Sequence, residues 1–200
     1  GGAGSEREFD GEAYAKRGVI LVTINYRCGI FGFLAHPWLA AESKDGLCGN
    51  YGTLDQIAAL AWVRENISAF GGDPENITIM GQSAGAMSVQ QHCFSPLTDG
   101  LFRRAVMSSG GGVSRMLSAS QPEQSYDFWH ALMEINGCKD LEEFRALPVE
   151  RLFDTWKNLK KTRKGGSCFP CVDGRFVVGT GSDLLKAGKQ KKISYLVGST

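Results

Sequence analysis

The stretch TIMGQSAGAMS, residues 78 to 88, constrains the fold more than any other part of the chain. Apolar and β-branched residues run into Gly81-Gln82-Ser83-Ala84-Gly85, and a helical stretch of small residues follows. Gly-x-Ser-x-Gly between a strand and a helix is the pattern of a nucleophile elbow, a sharp turn that lifts a serine hydroxyl clear of a sheet. Such a turn puts Ser83 in strained torsions and brings strand and helix close together. Side chains at 81 and 85 are expected to collide, which calls for glycine at both. A helix opening at Ala84 directs unpaired N–H groups and the positive end of its dipole towards Ser83. The Ala84 N–H is then positioned as a backbone oxyanion donor. The competing reading is a glycine-rich turn with an incidental serine. A phosphate loop is disfavoured, because no Gly-Lys-Ser/Thr follows.

The surrounding pattern supplies the context an elbow needs. Residues 19 to 26, VILVTINY, read as a strand buried on both faces of a parallel sheet. A long connection rich in glycine follows, packing through Phe31, Phe33 and Trp38. A helix is expected from Thr53, with Thr53 and Gln56 at capping-box spacing, and Gly71-Gly72 ends it. NITIMG gives a second buried strand, residues 84 to 94 a helix, and residues 104 to 108 a third strand. Helices are expected over residues 121 to 136 and again from Asp140, broken near Pro148. ISYLVGS gives a fourth strand. Strands alternating with helices indicate an α/β fold with a mostly parallel sheet, read as one partial domain over residues 1–200.

Composition excludes several alternatives. The chain has 200 residues, 42% hydrophobic and 22% charged, with a net charge of +1. That balance argues against disorder and against a broad nucleic-acid face. The basic run from Lys157 to Lys164 reads as a solvated helix face. No apolar run reaches the roughly 18 residues of a membrane span. The six cysteines are irregularly spaced and are expected as free thiols. Cys168 and Cys171 form a CxxC without the second pair or histidines that a zinc site wants, so a loop is expected there. No metal or cofactor is expected. The compartment is left open, with the cytoplasm slightly favoured, and the oligomeric state is unknown.

Three collinear blocks carry a family resemblance: VILVTINYR with GIFGFLA, the run from GNYGTLDQIAALAWV to GQSAGAMSV, and GLFRRAVMSSG. FPCVDGRFV adds a fourth. Together they resemble the type-B carboxylesterases, which include para-nitrobenzyl esterases, animal carboxylesterases and cholinesterases. The resemblance implies an α/β-hydrolase fold, a serine–acid–histidine triad and hydrolysis of carboxylic esters through an acyl-enzyme. Ser83 is then the nucleophile, Ala84 an oxyanion donor, and Arg27 with Asp55 a structural ion pair. Taken alone, Arg27 and Asp55 could equally be exposed charges. The family's usual Gly-Glu-Ser-Ala-Gly has Gln82 in place of glutamate here. A desolvated cation wants a partner charge or an aromatic cage, so a neutral ester is the expected substrate. Phe144 stands where animal members tend to carry a cysteine partner for Cys138, which puts that disulfide in doubt. The alternative is a non-catalytic adhesion or binding module. A thioesterase or amidase on the same elbow is a third possibility.

The rest of a triad is not expected within these residues. His36 precedes the serine, against the chain order of this fold. His92 lies nine residues along the elbow helix, roughly 13 Å away. His130 reads as a packed or surface residue of an amphipathic helix. The family's acid would follow YLVGST, which closes at Thr200, and its His-Gly-Gly would precede Gly2-Ala3-Gly4. Both ends read as cut, and the chain alone is expected to be nearly inert. In the family's strand order a further strand separates residues 19–26 from residues 76–80. These two segments are therefore not expected to pair directly. The loop from Phe31 to Trp38, with the later helices, is expected to shape an acyl pocket.

Overall fold

A computed structural model describes residues 3–111, 119–166 and 168–199. Gly2 and Thr200 lie outside the described residues. The helices in chain order are α1 (Glu12–Ala15), α2 (Gly29–Phe33), α3 (Pro37–Glu42), α4 (Tyr51–Asn66), α5 (Ala84–Phe94), α6 (Glu123–Ile135), α7 (Leu141–Arg145), α8 (Val149–Thr162) and α9 (Gly181–Lys186). The strands are β1 (Thr78–Gln82), β2 (Arg104–Ser108) and β3 (Ser194–Gly198).

The three strands form one parallel sheet in the order β1-β2-β3. β1 and β2 bracket α5, and that helix packs on one sheet face. Ala86, Val89 and Cys93 of α5 meet Ala105 and Met107 of β2, with Ile77 and Phe102 beside them. The opposite face carries Met80, Val106 and Leu196, which the register places side by side. Met80 is 53% exposed there and Leu196 66%. The expectation of strands buried on both faces is corrected here: only the α5 side is covered among the described residues.

Residues 19–26 depart further from expectation. They form no ladder, and Val19, Ile20, Val22 and Ile24 are all exposed. A continuous apolar run marks a segment suited to a sheet interior, but backbone N–H and C=O groups need a neighbouring strand to make one. None of the described residues supplies it. No pairing joins residues 19–26 to β1, in line with the expected strand order.

A second core sits among the helices. Phe128, Trp129, Leu132 and Met133 of α6 meet Ile30, Leu34, Phe144, Leu152 and Leu159. The break near Pro148 occurs as expected, with α7 ending at Arg145 and α8 starting at Val149. Lys157, Lys160, Lys161, Arg163 and Lys164 are exposed, as a solvated face requires.

The start of α4 differs from the expected capping box. The helix opens at Tyr51 with Asn50 as N-cap, and no side chain caps it. Asn50 instead holds the loop before α9, donating to the Cys171 carbonyl and to Asp173 while accepting from the Cys171 N–H. Thr53 is 1% exposed, and its hydroxyl has no hydrogen-bond partner among the described residues. Thr53 and Gln56 lie in the interior face of α4, where burial overrides the local spacing signal. Gly71 ends the segment in the left-handed region at φ 81°, as the Gly-Gly signal implies.

All six cysteines are free. Cys138 and Phe144 belong to the same apolar cluster, so the doubted disulfide has no partner here. Cys171 lies in a loop that makes a single bridge to Ser120, and among the described residues no cysteine, histidine or carboxylate group clusters as a metal site.

Candidate active site

Ser83 is the residue between β1 and α5, with φ 52° and ψ −115°. A non-glycine residue at such a φ is uncommon, and backbone strain of this kind concentrates where function over-determines it. The turn is held from both sides. The Ser83 N–H donates to the Ser108 carbonyl at 2.9 Å, and the Ser83 carbonyl accepts from the Met87 N–H at 3.1 Å. The first bond ties the elbow to β2, and the second starts the helical ladder of α5. Ser83 itself is exposed, and its hydroxyl has no hydrogen bond among the described residues.

Close approach explains one elbow glycine and not the other. A Cβ on Gly81 would lie 2.3 Å from the Gly85 carbonyl carbon and 2.4 Å from its oxygen. Backbone cannot yield that much, so Gly81 is required. A Cβ on Gly85 would meet nothing within 4 Å. The expected mutual collision is therefore one-sided: it is the backbone at 85, not a side chain there, that excludes a side chain at 81.

Two neighbouring residues escaped the sequence reading. A Cβ on Gly110 would sit 2.4 Å from the Ser83 carbonyl oxygen and 2.9 Å from the Ala86 Cβ. Ser109, directly after β2, also has φ 52°, matching Ser83 at the end of the adjacent strand. Its N–H donates to the Gly198 carbonyl, which continues the sheet towards β3. The signal was present as the small-residue run Ser108-Ser109-Gly110-Gly111 after an apolar strand.

The first turn of α5 presents N–H groups that have no intrahelical acceptor. The Ala84 N–H has no backbone acceptor among the described residues. With the helix dipole behind it, this end of α5 is suited to stabilising negative charge next to Ser83. Gln82 is exposed beside the serine and brings no charge.

The histidines are engaged elsewhere. His92 is buried, with Nε2 2.8 Å from the Gln56 carboxamide oxygen and its ring edge-on to Phe176. Burial, with nearby Lys191 adding to it, lowers its pKa to about 4. His36 is also buried, and its Nδ1 accepts from the Trp38 N–H at the start of α3. His36 Nε2 lies 3.4 Å from His130 Nδ1, with the two rings stacked.

Arg27 and Asp55 do pair. Arg27 Nε and one terminal nitrogen donate to the two carboxylate oxygens at 2.8 and 2.7 Å, and the Arg27 backbone N–H adds a third bond at 3.0 Å. These bonds hold the Asp55 carboxyl below its ordinary range and raise Arg27. The guanidinium also lies over the Tyr51 ring. The pair ties the end of residues 19–26 to α4.

The loop expected to shape an acyl pocket packs into the helical region. Phe31 meets Phe153 edge-on, and Trp38 packs on His36 and His130. A cavity of about 500 Å³ lies between Phe31, Tyr51, Phe144, Arg145 and Phe176, and Ser83 does not line it.

Comparison with known proteins gives a consistent result. The model of the carboxylesterase family matches residues 2–200. Fumonisin B1 esterase of Sphingopyxis macrogoltabida is 38% identical over 198 residues, covering 99% of this chain and 36% of that protein. Para-nitrobenzyl esterase of Bacillus subtilis is 37% identical over 204 residues, covering 100% of this chain and 40% of the relative. A crystal structure of a Geobacillus stearothermophilus carboxylesterase superposes with a TM-score of 0.84 at 41% identity, covering 100% of this chain and 42% of that one. The chain thus spans less than half the length of each of these relatives.

Proposed function

The chain belongs to the carboxylesterase family and has part of the α/β-hydrolase fold, and from that premise we propose that it carries the nucleophile of a serine carboxylic-ester hydrolase. The observation that carries the proposal is the conformation of Ser83. Its hydroxyl is exposed, its backbone is strained at φ 52°, and it sits at the N-terminus of α5. In this reading Ser83 Oγ attacks the ester carbonyl carbon, and the Ala84 N–H stabilises the oxyanion that forms. The alcohol leaves with a proton from a general acid, and water then hydrolyses the acyl-enzyme. The single domain read over residues 1–200 is, on this proposal, part of that larger catalytic unit.

The general base and orienting acid are assigned to the portion of the relatives that these residues do not span. His36, His92 and His130 each have other partners, and chain order in this fold puts acid and histidine after the serine. The chain alone is accordingly nearly inert, since losing the base of a related serine mechanism costs on the order of a millionfold. Gln82 beside Ser83 supports a neutral ester as substrate. The intact elbow speaks against a non-catalytic binding module.

Fluorophosphonate labelling of the longer protein that carries this chain tests the proposal. A covalent adduct on Ser83, located by peptide mass spectrometry and abolished by Ser83→Ala, is the expected result. An unmodified Ser83 in folded protein overturns it.

A further inference from the structure

The helix behind the nucleophile is fastened to α4 by one buried side chain. Gln56 is 5% exposed and faces α5. Its carboxamide oxygen lies 2.8 Å from His92 Nε2, and its nitrogen donates to Ser88 Oγ at 3.2 Å. Ser88 Oγ in turn donates to the Ala84 carbonyl at 3.2 Å.

Proton counting gives this chain a direction. Ser88 has one hydroxyl proton, and it is spent on the Ala84 carbonyl, so Ser88 must accept from the Gln56 amide. The Gln56 oxygen must then accept, which fixes His92 as the Nε2–H tautomer. His92 Nδ1 has no partner among the described residues, in keeping with a ring that stays neutral. Ala84, Ser88 and His92 stand four residues apart and form one stripe along α5. A single amide on α4 therefore grips that stripe at its second and third members. The first member carries the N–H assigned to the oxyanion.

We infer that Gln56 is a positioning residue for the reaction at Ser83, setting the axial placement of α5 and with it the Ala84 N–H. The inference rests on the reading of Ser83 as nucleophile. An oxyanion donor works only within a window about 0.4 Å wide, and misplacement by about 1 Å costs on the order of a hundredfold. Sliding or rotating α5 moves Ala84 directly, since Ala84 is the first residue of that helix and follows the strained serine in the chain.

The test compares Gln56→Leu and Ser88→Ala with wild type in the longer protein that carries this chain. Turnover of a para-nitrophenyl ester gives kcat and KM separately, and fluorophosphonate labelling reports Ser83. Gln56→Leu is expected to lower kcat by about tenfold or more with KM changed less than about twofold. Ser88→Ala, which removes one hydroxyl and leaves the packing in place, is expected to lower kcat several-fold, and Ser88→Thr to restore it. Unchanged kcat in folded Ser88→Ala and Gln56→Leu, with only a lower melting temperature, overturns the inference and leaves the nucleophile reading intact. A wild-type Ser83 that neither labels nor turns over ester overturns both.

Discussion

Gly110 lies against Ser83 so closely that a single added Cβ would stand 2.4 Å from the serine's carbonyl oxygen. The nucleophile turn is thus confined by β2 as well as by its own strand and helix. Gly110→Ala is expected to destabilise the protein by roughly 3 kcal/mol, because the obstructing atoms are backbone and the Ala86 Cβ. Thermal unfolding of the variant against wild type measures it. A loss below about 1 kcal/mol would contradict the packing described.

Gly81 and Gly85 are predicted to behave differently despite their symmetry about the serine. Gly81→Ala is expected to cost roughly 3 kcal/mol or more, since its Cβ would fall 2.3 Å from Gly85 backbone. Gly85→Ala has open space and a helical position, so a change within about 1 kcal/mol of wild type is expected. Parallel urea titrations of the two variants separate these outcomes, and equal losses would count against a one-sided clash.

His92 gives stability a pH dependence whose sign follows from its depressed pKa. The unfolded imidazole titrates near 6.5 and the folded one near 4, so the unfolded state binds the proton first. The stabilisation is complete above pH 6.5 and is lost as pH falls towards 4, by roughly 3 kcal/mol. His92→Asn is expected to flatten this part of the profile. Urea midpoints at pH 7 and pH 4.5 for both proteins provide the comparison, and identical pH slopes would refute the assignment.

Arg27→Lys is not expected to substitute for arginine. Two parallel bonds to Asp55 and a place over the Tyr51 ring need a planar fork. Both Arg27→Lys and Arg27→Ala should lose about 1–2 kcal/mol, discounted for partial exposure of the pair. A lysine variant as stable as wild type would show that only the charge matters.

Cys28 is exposed, whereas Cys48, Cys93, Cys138 and Cys171 are buried and Cys168 is half-buried. Burial also pushes Cys171 up to about 12 and Cys93 to about 11, away from the reactive thiolate. A maleimide pulse on folded protein should therefore modify Cys28 well before the others. Rapid labelling of Cys171 would contradict its burial.

Local patterns were legible where one element answers to one signal. The strand at 104–108 and the helix at 84–94 fall where periodicity and glycine placed them, and the break at Pro148 follows from proline chemistry. The elbow was legible because strand, glycine spacing and helix are contiguous in sequence. What failed depended on distant partners. VILVTINY has the composition of a sheet interior, but a ladder needs a neighbouring strand, and none pairs with it among the described residues. Thr53 and Gln56 fit a capping box by spacing, yet α4 buries both, and Gln56 bonds across 36 residues to His92. Asp140 and Glu143, with the same spacing, do cap: Asp140 accepts from the Glu143 N–H, and Glu143 accepts from Lys139. Gly110 could be connected to Ser83 only once β1 and β2 were known to be adjacent.

The open face of the sheet has a consequence for solution behaviour. Among the described residues β3 is an edge strand, with Leu196 66% exposed on the open face that also carries Met80, and Val197 64% exposed on the other face. Unpaired backbone flanked by apolar side chains is a template for strand addition by another copy. A stretch of this kind, produced by itself, should self-associate in proportion to its concentration. During synthesis the same surface makes folding a race between covering these apolar side chains and meeting a second nascent molecule.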